Sequence, residues 1–144
     1  MSMGFLRRAL GPDPAAHARL ERAAAAVDRE LAANIELSAM FDQTHQAVIF
    51  ENGEFTRNAA ALEAATAAFA LVSDVYRRIP STEDAMERRG PANSLRPDDR
   101  VLIETWEGDA REAQRALRAA VAAPPPSGWS LLLGRLRGGR QTGR

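Results

Sequence analysis

Residues 54–79, EFTRNAAALEAATAAFALVSDVYRRI, decide the fold. Phe55, Leu62, Phe69 and Tyr76 recur every seven residues, and Asn58, Ala65, Val72 and Ile79 form a second such series three positions on. Interleaved series of this kind place their side chains along one stripe of an α-helix, the pattern of a helix packed lengthwise against a partner. Thr56, Arg57, Glu63, Ser73, Asp74 and Arg77 fall outside the stripe. The stretch predicts one helix, stopped at Ile79 because Pro80 has no amide N–H and disfavours helical geometry in the residue before it.

Upstream, Asp13 and Pro14 make a good helix start, since Asp accepts orphan amide bonds at the N-cap and Pro suits the first helical position. From there a helix is expected to run to Asn52 and to end at Gly53, which reaches the left-handed cap conformation without strain. Leu20, Ala24, Val27, Leu31 and Ile35 form its narrow first stripe. After Asn34 the apolar residues Leu37, Met40, Phe41, Val48, Ile49 and Phe50 spread round the circumference, which implies cover on more than one side. Asn34, Ser38, Asp42 and His45 continue the stripe as a possible polar core. A competing reading pairs Val48 and Phe50 with Phe55 across a type I′ turn at Asn52-Gly53, giving a β-hairpin. The helical hairpin is preferred, because an isolated two-stranded ribbon is marginal in water. Its loop end would be closed by the Phe50 and Phe55 rings.

Downstream, Ser81 and Asp84 resemble a capping box opening a short helix, Thr82 to Arg89, closed by Gly90-Pro91. Pro97, Asp98 and Asp99 start a third long helix, with Arg111, Arg115 and Arg118 toward its end as the helix dipole favours. Ile103, Trp106, Ala110, Ala113, Leu117 and Ala120 or Val121 are its inward stripe. Gly108 weakens a helix interior, so close approach of another backbone is expected there. The fold class is all-α: a long antiparallel helical hairpin plus a third long helix, forming a three-helix bundle with a short extra helix and flexible termini. Residues 23–33, rich in Ala, would project unless the third helix or a second subunit covers them.

Three segments follow. Residues 1–11 are a basic apolar N-terminal segment, 12–123 the helical domain, and 124–144 a basic tail opened by the stiff Pro124-Pro125-Pro126 spacer. The net charge of zero hides an asymmetry. All 19 acidic residues lie between Asp13 and Glu112, and all 19 basic residues are Arg, of which six sit at the two ends. The body therefore sums to −6 and the ends to +6. With no cysteine, disulfides, thiolate metal sites and cysteine nucleophiles are excluded. No apolar run approaches the roughly 18 residues of a membrane span, and residues 1–10 are too short for a secretory signal, so the cytoplasm is the expected location.

Asp42 and His45, spaced i, i+3, have the local geometry of a metal-binding pair in a helix bundle. The only other histidine, His17, lies far along the chain, so a hydrogen-bonded structural histidine is the better reading and no metal or cofactor is expected. Glu104, Glu107 and Asp109 beside Trp106 suggest acid–base chemistry. Solvated helix surface explains them better, with Glu107 able to pair with Arg111. Serine-hydrolase motifs and phosphate-binding glycine loops are missing from the sequence, and no catalytic residue is assigned.

The ends carry the partner expectations. Phe5 and Leu6 stand beside Arg7 and Arg8, and Trp129, Leu131, Leu132 and Leu133 beside Arg135 and Arg137. Such pairing suits a protein partner, or an anionic membrane surface on which apolar insertion and Arg attraction act together. Nucleic acid is not expected, since the tail has no aromatic ladder and acids prevail on the body. The run Glu30-Leu31-x-x-Asn34-Ile35, with Phe50, Phe55 and Tyr76-x-x-Ile79, resembles bacterial helical domains, some of which sit beside a membrane segment. The expectation is a non-enzymatic helical protein–protein interaction or scaffold module, self-associating or bound to a protein partner. The alternative is a peripheral membrane protein docking through its basic apolar ends.

Overall fold

The computed structural model describes residues 13–122. Among these residues the chain is all-helical, without a strand. The helices are α1 (Pro14–Thr44), α2 (Gly53–Leu62), α3 (Thr66–Arg77), α4 (Ile79–Glu87) and α5 (Pro97–Ala122), with a short 3₁₀ turn at Pro91–Asn93 before α5. Leu20–Ala122 form one compact unit. The expected end segments, including Phe5, Leu6, Arg7, Arg8, Trp129, Leu131, Leu132, Leu133, Arg135 and Arg137, lie outside the described residues.

The start of α1 follows its local sequence: Asp13 Oδ1 accepts the Ala15 N–H at 3.0 Å, and Pro14 is the first helical residue. Its end does not. The helix stops at Thr44 rather than at Asn52. The Thr44 hydroxyl donates to Met40 O at 2.9 Å and accepts the Gln46 N–H at 3.2 Å. His45 then turns left-handed at φ 57°, a conformation that a C-terminal residue adopts to close a helix. Residues 45–52 form a non-helical strap, so Asn52-Gly53 precedes α2 instead of ending α1. Met40, inside α1, and Ile49, in the strap, are 54% and 83% exposed, where cover was expected.

The expected single helix over residues 54–79 is two helices. A straight helix would hold Phe55 and Tyr76 about 30 Å apart, yet their rings stack with centroids 4.3 Å apart. Phe55 also lies 6.4 Å from Phe69. The chain turns at Glu63-Ala64-Ala65, where the Ala65 N–H bonds to Leu62 O, and α2 folds back along α3. Glu and Ala are good helix formers, so the turn is imposed by tertiary contacts between the rings. The stripe residues still face inward: Leu62, Val72, Tyr76 and Ile79 are buried, and Phe55 and Phe69 pack against the core. The Phe50 and Phe55 rings do not close a common loop end, for Phe50 stacks on Trp106 at 4.4 Å.

After Arg78, α4 begins at Ile79 with Pro80 in its first turn. The expected capping box is not formed. The Ser81 hydroxyl donates back to Arg78 O at 3.0 Å, and the helix starts earlier than Thr82. Arg78 instead joins two helices, with Nε 3.0 Å from Asp74 and Nη2 2.6 Å from Asp109 on α5. At the other end of α4, Arg88 grips Asp99 in the first turn of α5 through Nε and Nη2 at 3.1 and 2.8 Å.

The central element is α5. Ile103, Trp106, Ala110, Ala113 and Leu117 are at most 1% exposed, as the stripe predicted. Trp106, the largest fully buried side chain, donates its indole N–H to Val75 O at 2.9 Å. α1 runs antiparallel to α5, since Ser38 meets Glu107 while Asp28, nearer the start of α1, meets Gln114 and Arg118 farther along α5. Ala23, Ala24, Val27 and Leu31 are buried. The Ala-rich part of α1 thus lies against α5 and does not project.

Gly108 does not mark a close backbone approach: a Cβ built there meets nothing within 4 Å. The position is exposed helix interior. Gly108→Ala is therefore expected to raise stability by about 1 kcal/mol, or about 4 °C in Tm, measured by thermal unfolding followed by circular dichroism.

Candidate functional site

The buried polar residues of α1 sit among apolar ones, and each is held by a specific partner. Glu30, 6% exposed, reaches across to the start of α2. Its Oε2 accepts the Glu54 N–H at 2.8 Å and its Oε1 accepts the Phe55 N–H at 3.1 Å. These are amide donors in the first turn of a helix that has no side-chain cap from Asn52, so a carboxylate from another helix does the capping. The same Oε1 accepts the Tyr76 hydroxyl at 2.8 Å. Burial, this hydrogen bond and the Glu30 charge push the phenol far above its ordinary 10.0.

One turn on, the fully buried Asn34 uses both ends of its amide. Nδ2–H donates to Glu51 O and Oδ1 accepts the Glu51 N–H, each at 2.8 Å. The strap is pinned from below by these two bonds, and Phe50 beside them is seated on Trp106. Its other end is held by Arg89, which donates to the carbonyls of His45 and Met86 and lies 5.7 Å over the Phe41 ring.

Ser38 is also fully buried and donates to Glu107 Oε2 at 3.3 Å. Asp42 and His45 are exposed. Of the four residues expected as a polar core, Asn34 and Ser38 lie inside, Asp42 approaches Glu107 at the rim, and His45 forms the turn out of α1. No group of three or more His, Asp or Glu side chains among the described residues is placed to hold a metal ion.

Glu104, Glu107, Gly108 and Arg111 line a shallow hollow of about 230 Å³. Burial of the Glu107 carboxyl raises its pKa above the ordinary 4.5, and the nearby Asp42 charge adds to this, while Ser38 and Arg111 partly offset it. A carboxyl whose folded pKa is raised gives stability below the unfolded value and loses it as pH rises through the folded one. Glu107→Gln, which cannot ionise, is expected to gain on the parent chain between pH 4 and pH 7. Urea midpoints of both chains at the two pH values check this; equal differences at both would contradict it.

A second depression lies between α1 and α5. Ala24, Ala25, Leu117, Val121 and Ala122 give it an apolar floor, Glu21, Asp28 and Arg118 a charged rim, and its volume is about 300 Å³. At that rim Asp28 accepts from Gln114 Nε2 at 3.0 Å and from Arg118 Nε at 3.3 Å.

No family model, curated protein or solved structure matches this chain. Its chemistry is therefore read from its own geometry. The Glu30 and Tyr76 pair, the closest approach to a buried acid–base couple, is committed to holding α2 against α1 and α3. Glu104 is exposed, Glu107 pairs with Arg111 at 3.2 Å, and Asp109 pairs with Arg78.

Sequence reasoning passed over two features. Glu30 belongs to the inward set Val27, Glu30, Leu31, Asn34, and an acid at a stripe position was the available signal that it caps something. The α1–α5 depression had a weaker signal: Ala24 and Ala25 opposite Leu117 and Val121 leave room because a methyl fills less space than an aliphatic branch.

Proposed function

We propose that the chain is a non-enzymatic helical interaction or scaffold module that associates with a second copy of itself or another protein. The observation carrying this is the α1–α5 depression, with its apolar floor and a rim bearing Asp28 on one helix and Arg118 on the other. Apolar centres bounded by charge are the usual composition of helix-accepting surfaces. Under a two-fold axis this patch meets its own copy, so the apolar floors of two chains can cover each other, which makes a second copy the first occupant to test. The commitment of Glu30, Asn34 and Ser38 to structural hydrogen bonds supports the same reading. In it, α1, α3 and α5 act as the three-helix bundle, α1 with the α2–α3 pair as its hairpin and α4 as the corner piece, in the cytoplasm.

Light scattering over a range of concentrations tests it. The expected mass exceeds the 15.6 kDa of one chain and falls back to it on Ala25→Arg, a change at an exposed floor residue. A mass of one chain at every concentration would overturn self-association. The second reading, docking on anionic membrane through the basic apolar ends, is favoured by the concentration of Arg there. Among the described residues no helix is long and apolar enough to cross a membrane. Co-sedimentation with phosphatidylserine vesicles, lost when Arg7, Arg8, Arg135 and Arg137 are changed to Ser, would support it.

A further inference from the structure

We propose that residues 45–52 are a strap that opens as one unit while the helices beneath it stay folded. This rests on the attachments of the strap and is independent of the association reading. Most of the strap is exposed, including Gln46, Ala47, Glu51 and Asn52, with Ile49 at 83%. Phe50 is its one buried side chain. Segments with few buried apolar contacts open at lower free energy than the core they lie on. The helices below differ sharply: Leu31, Trp106 and Val75 are at most 1% exposed.

The attachments lie at defined points; besides those that follow, Val48 packs partly buried against the core and the Gln46 N–H bonds to the Thr44 hydroxyl. Arg89 holds the His45 carbonyl, Asn34 holds both backbone groups of Glu51, and Phe50 lies on Trp106. At the α1 end, His45 sits at φ 57°, a left-handed conformation costly for a residue with a side chain. Release relieves that conformation, so the turn at His45 acts as a hinge. At the other end, Glu30 caps the Glu54 and Phe55 amides without the Asn52 side chain, and the Asn52 carbonyl, which accepts from the Thr56 N–H at 3.0 Å and its hydroxyl at 2.9 Å, is the joint that stays with α2 when the strap leaves. Opening bares the ring face of Trp106 together with Phe50, an apolar pair that the closed strap hides.

Hydrogen exchange on the full chain tests this. The Glu51 amide, bonded to Asn34 Oδ1, reports the strap; the Leu31 and Trp106 amides report the helices. Glu51 is expected to exchange about a hundred-fold faster than either. Low urea should leave its rate almost unchanged, because little surface is exposed on local opening, while the helix amides accelerate. Arg89→Gln, which frees the His45 end of the strap along with the Met86 and Arg88 carbonyls at the end of α4, is expected to speed Glu51 exchange several-fold and leave Trp106 unaffected. Glu51 exchanging at the Trp106 rate with the same urea response would overturn the proposal. So would Arg89→Gln that leaves Glu51 unchanged, since the two ends would then open separately.

Discussion

Glu30→Ala is expected to lower stability by about 4 kcal/mol, because it strands one buried and two part-buried donors at once, each worth roughly 1–3 kcal/mol. Those donors are the Glu54 and Phe55 amides and the Tyr76 hydroxyl. For a chain of this size the fall in Tm is about 15 °C, and urea unfolding of both proteins measures it. Tyr76→Phe removes one donor and leaves the cap, so its cost should be about 1 kcal/mol. A Glu30→Ala cost no larger than that of Tyr76→Phe would show that the cap contributes nothing.

The same group gives a pH dependence. The raised Tyr76 pKa means that the fold holds the phenol proton more tightly than the unfolded chain. Its contribution is complete below pH 10 and is lost as pH rises beyond it. Tyr76 is the one tyrosine of the chain, so phenolate absorbance reports it alone. Absorbance should appear together with loss of helical circular dichroism, and ionisation in a still-helical chain would contradict the burial.

Trp106→Ala should be as damaging, at about 4 kcal/mol, the range for emptying a buried aromatic site. The indole is 0% exposed and contacts two separate parts of the fold. It carries the Phe50 ring and donates to Val75 O. The truncation leaves a cavity in α5, an unpaired carbonyl at the end of α3 and a strap without its seat. Trp106→Phe keeps an aromatic surface for Phe50 and loses only the N–H and part of the volume, so about half that cost is expected. Against a total of about 5–15 kcal/mol for a domain, the Ala variant is near the limit of folding; denaturant titration with circular dichroism ranks the two.

The residues that face inward were legible in the sequence because burial follows periodicity. Leu62, Val72, Tyr76, Ile103, Trp106 and Leu117 are where the stripes put them. The start of α5 at Pro97 was legible too, since Pro and two Asp residues suit a first helical turn. Breaks were not. Glu63-Ala64-Ala65 favours a helix locally, and the contacts that hold it in a turn, Phe55 on Tyr76 and Phe69, and Glu30 between α2 and Tyr76, come from distant residues. Thr44 ends α1 through its own hydroxyl and a left-handed His45, neither a strong signal beside the adjacent Asn-Gly pair. Gly108 was overread, because glycine in an exposed helix need not answer to a neighbour.

At the candidate site, the polar residues of α1 were visible but their partners were not. A side chain that caps a helix 24 residues away leaves no mark in local spacing. The alternation of Asp42 and His45 with buried Ser38 could not reveal that the helix ends between them. The α1–α5 depression depends on how two helices meet, which neither stripe alone specifies.

The reach of Glu30 to α2 has a consequence for the order in which the chain assembles. Leaving the ribosome, residues 53–62 find Glu30 already made to cap them, but Phe55 has no ring of α3 to rest on until Phe69 and then Tyr76 have followed. The bend between α2 and α3 is thus a late event, set by the arrival of distant residues, and a fragment ending at Leu62 should leave that helix frayed.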